Sequence, residues 1–361
     1  MARYRNRNRR NVLRRSLLQF ETMEPRNLMA VYVVQANATA GGDGSPASPF
    51  ATIALAVNAA KLNPGADEIQ VGSGNYAETV SITDTADLTI RGDVNQRPII
   101  NGLRVSQPNS NFVFENLNIV SASLAGVFVN NQAILGSNGA SGPFLRNGSV
   151  TLNNMNIEIS PNTSPWNCVY VAGLIRFSAS NLVLRGGRAS LSDINTANLS
   201  QITVNASRTN ALVANFVTQL SVNGLTAVQP NGTGVLLTNP TRLTPGFLNT
   251  QSVVSLSGVQ IAGSVGNGLD AGTNISLTVL NSTFNSNAGA GILLNSVTTT
   301  VLDTVTTSSN RSSGITANAG GAFNGRYLVS KSNGLSGLTA QTTSALLITG
   351  GDFSNNTFSG V

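Results

Sequence analysis

Apolar and polar residues alternate along most of this chain in short bursts, and asparagine, glycine and serine separate the bursts. Residues 112–119, 150–157, 182–184, 202–204, 220–222, 253–256, 277–279, 300–302, 327–329 and 346–348 all follow this pattern. A period of two places Val, Leu and Ile on one side of a strand and Thr, Ser and Asn on the other. Many short strands of this kind with Gly and Asn between them predict an all-β fold.

The pattern recurs at a fixed step. Asn287, Asn310, Asn333 and Asn356 are each 23 residues apart, and Gly291, Gly314, Gly337 and Gly360 keep the same interval. A repeat of this length without helix formers predicts a solenoid of stacked coils. The repeated Asn is read as structural: it suits tight turns and can ladder with its neighbours through side-chain hydrogen bonds. The repeated Gly is expected to supply a positive φ. Upstream the pattern decays, with Ser264 at the Asn position before Gly268. Asp303 and Arg326 share the step and are expected to pair across adjacent coils. At about 23 residues per turn the coiled region predicts about 13 turns, or about 60 Å of solenoid. Residues 130–149 and 229–250 break the rhythm and are read as loops leaving the stack.

Ahead of the coils, residues 31–36 read as a strand. Ser48 and Pro49 read as N-cap and first residue of a helix, with Ile53, Val57 and Ala60 on one face and Asn63-Pro64-Gly65 as its end. Residues 67–71, 78–82 and 88–92 read as strands, with a turn at Gly74-Asn75-Tyr76. Pro49, Phe50, Thr52, Ile53, Val57, Ala60, Asp67, Ile69, Val71, Gly74, Tyr76, Val80 and Ile82 match an order that resembles the N-terminal entry of right-handed parallel β-helix proteins of the pectate-lyase-like superfamily. The resemblance covers about 50 residues and implies that the helix covers the open end of the first coil, where strand edges would otherwise be exposed. The expected organisation is a leader over 1–30, a cap over 31–66 and parallel β-helix coils over 67–361.

Charge changes the picture only at the N-terminus. The chain of 361 residues is 10% charged, has no His and carries a formal charge of +6. Residues 1–30 hold eight Arg and two Glu, leaving thirteen basic and thirteen acidic residues in the rest. The basicity therefore belongs to a leader, read as an export signal and not as a nucleic-acid surface. Phe20, Glu21, Met23, Glu24, Arg26, Leu28, Met29 and Ala30 form an order that resembles the N-terminal segment of planctomycete extracellular proteins, which implies an extracellular or cell-surface location. No apolar run is long enough for a membrane span. Cys168 is the one cysteine and reads as a buried apolar side chain.

Catalytic chemistry finds little support. The β-helix resemblance implies either calcium-assisted lyases or hydrolases with clustered carboxylates. From residue 116 onward there are only Glu158, Asp193, Asp270, Asp303 and Asp352, and none share the repeat register. The hydrolase motifs Asn-Thr-Asp, Asp-Asp and His-Gly are absent. Asp84 and Asp87 read as a solvated turn, and Asp67-Glu68 as structural. No catalytic residue, cofactor or metal ligand is assigned. Arg176, Arg185, Arg188 and Arg208 fall on consecutive middle coils with Trp166 and Tyr170 nearby. Arg beside an aromatic can hold an acidic glycan by charge and stacking. The expected function is an exported surface or matrix protein, structural or adhesive, with polysaccharide as its partner; the alternative is a polysaccharide lyase or glycoside hydrolase. Because the last repeat stops at Gly360-Val361, the open final coil predicts end-on self-association, a missing C-terminal portion or fraying.

Overall fold

The computed structural model describes residues 29–361 apart from 84, 107–108, 123–124, 136–139, 145–147, 161–166 and 240–249. The chain coils into three parallel sheets that run the length of a right-handed β-helix of about eleven turns. One inward position of the first sheet can be followed from coil to coil through Ile69, Ile90, Phe114, Leu152, Ala179, Leu199, Val222, Leu256, Val279, Leu302, Gly325 and Ile348. The third sheet stacks Val80, Leu103, Val127, Val169, Ala189, Leu212, Val235, Leu269, Ile292, Ile315 and Leu338 in the same way. These mainly aliphatic columns form one continuous core, which is why period-two alternation is the dominant signal in the sequence. Long strands such as Arg188–Asn205 and Leu212–Val228 turn the corners between sheets without losing their pairing.

The turn count is lower than the repeat length predicts, because excursions between sheets consume residues. In the first of them, Gln132–Leu135 and Ala140–Phe144 pair as a separate antiparallel hairpin. The second is shorter than expected. Val235–Thr238 is a rung of the third sheet, paired with both Leu212–Val228 and Leu269–Ala271. The remainder of that excursion, 240–249, lies outside the described residues.

The helix also starts later than expected. It spans Ile53–Leu62 and is N-capped by Thr52, not Ser48. Phe50 is held extended by hydrogen bonds with Val33 and Gln35, so the chain cannot turn helical until it has passed that bridge. Glu78, from the first coil, then accepts the Ile53 and Ala54 backbone N–H groups at 2.8 and 3.0 Å. This ties the helix end to the solenoid through the free N–H groups of the first turn. Ile53, Ala56, Val57 and Ala60 are buried against the first coil.

Two corners are lined by residues in the left-handed region. Between the first and second sheets, Asn116, Asn154, Asn181, Gln201, Gly224, Gly258, Asn281, Thr304, Tyr327 and Gly350 hold positive φ on successive coils. Between the second and third sheets Ser286, Ser309, Ser332 and Asn355 do so. The repeated glycines do not take positive φ. A Cβ at Gly314 would lie 1.8 Å from Ser330 Oγ and 2.7 Å from Asn333 Nδ2. Glycine is therefore needed there for close approach, and the preceding Ser supplies the bend.

Candidate functional site

The corner between the second and third sheets carries two kinds of chemistry. In the C-terminal coils it is closed by a buried amide ladder. Asn287, Asn310 and Asn333 are each 1% exposed. The Oδ1 of Asn310 accepts from Asn287 N at 3.0 Å and Asn287 Nδ2 at 2.9 Å, and Asn333 and Asn356 accept from their preceding neighbours in the same way. Their Nδ2 groups also donate to carbonyls of Phe284, Thr307 and Ser330. With donors and acceptors satisfied inside the wall, these amides serve the fold.

In the middle coils the same corner is basic. Arg185 ends its strand in the second sheet, paired in register with Asn205 of the next coil. Gly186 and Gly187 turn the corner and Arg188 opens the third sheet. On the next coil Arg208 follows Ser207, whose carbonyl accepts from Asn231 as the ladder residues' carbonyls do further on. Three of the four arginines thus fall at one corner. Arg176 does not join them, because it begins Arg176–Arg185 in the first sheet, beside Ser149 and Thr196. Trp166 lies outside the described residues.

Arg188 and Arg208 are half-buried. A register shift between Asn167 and Val169 brings Asn167 opposite Arg188, and Arg188 Nε donates to Asn167 Oδ1 at 2.8 Å. Burial lowers the Arg188 pKa from its ordinary value. One guanidinium nitrogen of Arg208, Nη1, is buried with no hydrogen-bond partner. Among the described residues neither side chain forms an ion pair.

Beside this corner, the outer face of the third sheet carries a stack that sequence reading did not assemble. Phe128 and Tyr170 are register partners with ring centroids 5.1 Å apart and planes 12° from parallel. Arg104, the partner of Phe128 on the preceding coil, sets its guanidinium 5.6 Å from that ring's centroid. Burial, and then the charge of Asp193, push the Tyr170 phenol up. Asp193 itself is 2% exposed, holds φ +54° and accepts from Ser192 Oγ at 2.9 Å. Phe128 and Tyr170 are 42 positions apart because the hairpin lies between them, so their spacing carries no trace of the repeat.

The remaining candidates are structural. Asp67 is 4% exposed and accepts from Ala30 N and Asn63 Nδ2. Asp87 accepts from both the backbone and side chain of Asn111, while Asp84 lies outside the described residues. Cys168 is buried, and that burial pushes its thiol up to about 12. Among the described residues no group of three His, Cys, Asp or Glu side chains is placed to hold a metal ion, and no helix is long and apolar enough to cross a membrane.

No family model and no curated protein matches this chain. Solved structures do resemble it. A lacto-N-biosidase from Eubacterium ramulus is 9% identical, with 91% of this chain and 68% of that one covered at a TM-score of 0.44. The catalytic unit of an α-1,3-glucanase from Streptomyces thermodiastaticus is 12% identical over 91% and 70%, at 0.46. A pectate lyase is 12% identical over 91% and 79%, at 0.39. The likeness is one of fold, the parallel β-helix that the strand pairing of this chain itself builds.

Proposed function

We propose that this chain is an exported surface or matrix protein that binds an acidic polysaccharide at the corner formed by Arg185, Arg188 and Arg208. One observation supports the reading. Two half-buried guanidinium groups on adjacent coils have no carboxylate partner among the described residues. Burying a cation without a counter-charge is costly, and an anionic ligand group relieves that cost. A linear polyanion fits better than a single small anion, because the coils repeat about every 4.8 Å along the axis and present Arg185 and Arg188 on one coil and Arg208 on the next. The Arg-rich segment within residues 1–30 carries the export part of the proposal.

The test is a panel of acidic and neutral polysaccharides presented to residues 31–361. Retention by uronate or sulfated polymers, weakening with salt and accompanied by no release of reducing or unsaturated ends, is the expected result. Product release would replace binding with cleavage, and retention by neutral polymers alone would remove the arginine corner from the account. For export, a reporter fused to residues 1–30 should leave the cytoplasm; a reporter that stays inside contradicts that part.

A further inference from the structure

Asn231-Gly232 turns the corner between the second and third sheets one coil beyond Arg208. The Asn231 N–H donates to the Ser207 carbonyl at 2.8 Å, which sets Asn231 beside Arg208. Asn231 is exposed, and among the described residues its side chain makes no hydrogen bond. The Gly232 N–H is free as well. Its counterparts on later coils, Gly266, Gly289, Ser312, Leu335 and Phe358, each donate to a carbonyl of the coil before at 2.9–3.3 Å; Gly232 makes no such bond. An asparagine side chain in this setting is open to attack by the next backbone nitrogen, and glycine leaves that approach unobstructed. The other described Asn-Gly pairs are held differently. Asn267 Oδ1 accepts from Ala290 N while its Nδ2 donates to Asp270, and both ends of the Asn333 amide are engaged in the ladder. Asn101, Asn223 and Asn324 lie within paired strands, whose extended backbone keeps the next nitrogen away from the side chain.

We propose that Asn231 is a site of spontaneous deamidation and that the carboxylate it yields pairs with Arg208. The Gly232 nitrogen attacks Asn231 Cγ, gives up its proton and expels the side-chain nitrogen as ammonia, closing a succinimide ring. Water then opens the ring at either carbonyl to give aspartate or isoaspartate. The net change consumes a water and releases an ammonia. Either product carries a negative charge where an uncharged amide stood. Arg208 Nη1 is buried without a hydrogen-bond partner, and coils about 4.8 Å apart bring register neighbours within reach of each other. The chain already displays such a pair: Asp303 and Arg326, register partners on adjacent coils, form an ion pair at 3.7 Å. On the acidic-polysaccharide reading, on which this consequence alone rests, deamidation takes one cation away from the arginine corner.

Peptide mass spectrometry of the full chain, held at mildly alkaline pH, tests the modification. The peptide containing Asn231 should undergo the amide-to-acid mass change at least about tenfold faster than those containing Asn267 or Asn333. In urea, where only the shared Asn-Gly sequence remains, that advantage should collapse. An Asn231 peptide that converts no faster than the other two in the folded chain overturns the site. Carboxyl NMR titration of Asn231→Asp tests the pairing. The new carboxylate should titrate at lower pH than the same group in Asn231→Asp/Arg208→Gln, and equal midpoints overturn the pair. Circular dichroism establishes that both variants remain folded. Hexagalacturonate separates this inference from the corner reading. Its affinity for Asn231→Asp should be about threefold lower than for the native chain, and equal affinity overturns the consequence for the corner. A native chain that binds no hexagalacturonate overturns the corner itself, while the mass and titration measurements still decide the modification and the pair.

Discussion

Asn310 and Asn333, 23 residues apart, share one oxygen: Asn333 Oδ1 accepts the Asn310 backbone N–H at 3.0 Å and its Nδ2 at 3.1 Å. Each amide in the ladder thereby closes the turn of the coil before it. Replacing Asn310 with Ala leaves Asn287 N, Asn287 Nδ2 and the Phe284 carbonyl without these partners in a buried site. A loss of about 3 kcal/mol is expected from groups of this kind. Because solenoids need not unfold as one unit, hydrogen exchange is the measurement. Protection should fall in the coils around 287–333 and remain in the first coils.

The division of labour between Ser309 and Gly314 gives a second expectation. Ser309 holds φ +59°, whereas Gly314 has no room for a Cβ. Gly314→Ala should destabilise by about 1–3 kcal/mol through overpacking, and Ser309→Gly should be neutral or slightly stabilising. Chemical denaturation of the two variants checks it. The opposite order would return the positive-φ role to the glycine.

Thr300 faces inward between Leu277 and Phe323, and its Oγ1 is buried without a partner. Thr300→Val keeps the shape and removes the unsatisfied hydroxyl. Thermal melting should show a gain of about 1 kcal/mol.

Lys331 Nζ lies 2.5 Å from Asp352 Oδ2. The hydrogen bond from Lys331, followed by those from Ser354, pushes the Asp352 carboxyl from 3.8 to about 2. A folded-state pKa below the unfolded value means that the stabilisation is complete above the ordinary carboxylate range and is lost as pH falls through the interval down to about 2. Carboxyl NMR titration should place the midpoint near the lower value, and Lys331→Ala should raise it.

The architecture was legible because solenoid sheets are buried on the inside only, so alternation and a constant coil length both survive in the sequence. Asp303 and Arg326 could be paired from spacing alone, and they form an ion pair at 3.7 Å. The arginines were harder. Residues 176, 185 and 188 lie close in sequence, but a coil has three sides, and Arg176 falls on a different one. The Phe128–Tyr170 stack was hidden by the hairpin between its members. The left-handed corner at Asn281, Thr304 and Tyr327 keeps the 23-residue step, yet its residue type changes from coil to coil, so only the backbone reveals it.

Arg188 and Arg208 are proposed to hold an anionic glycan. Titration calorimetry of hexagalacturonate into the native chain and into Arg188→Gln/Arg208→Gln tests it most directly. Binding to the native chain is expected, with a loss of at least about tenfold in the double variant, in keeping with charge-assisted hydrogen bonds to a carboxylate. Equal affinity in the two proteins would contradict it.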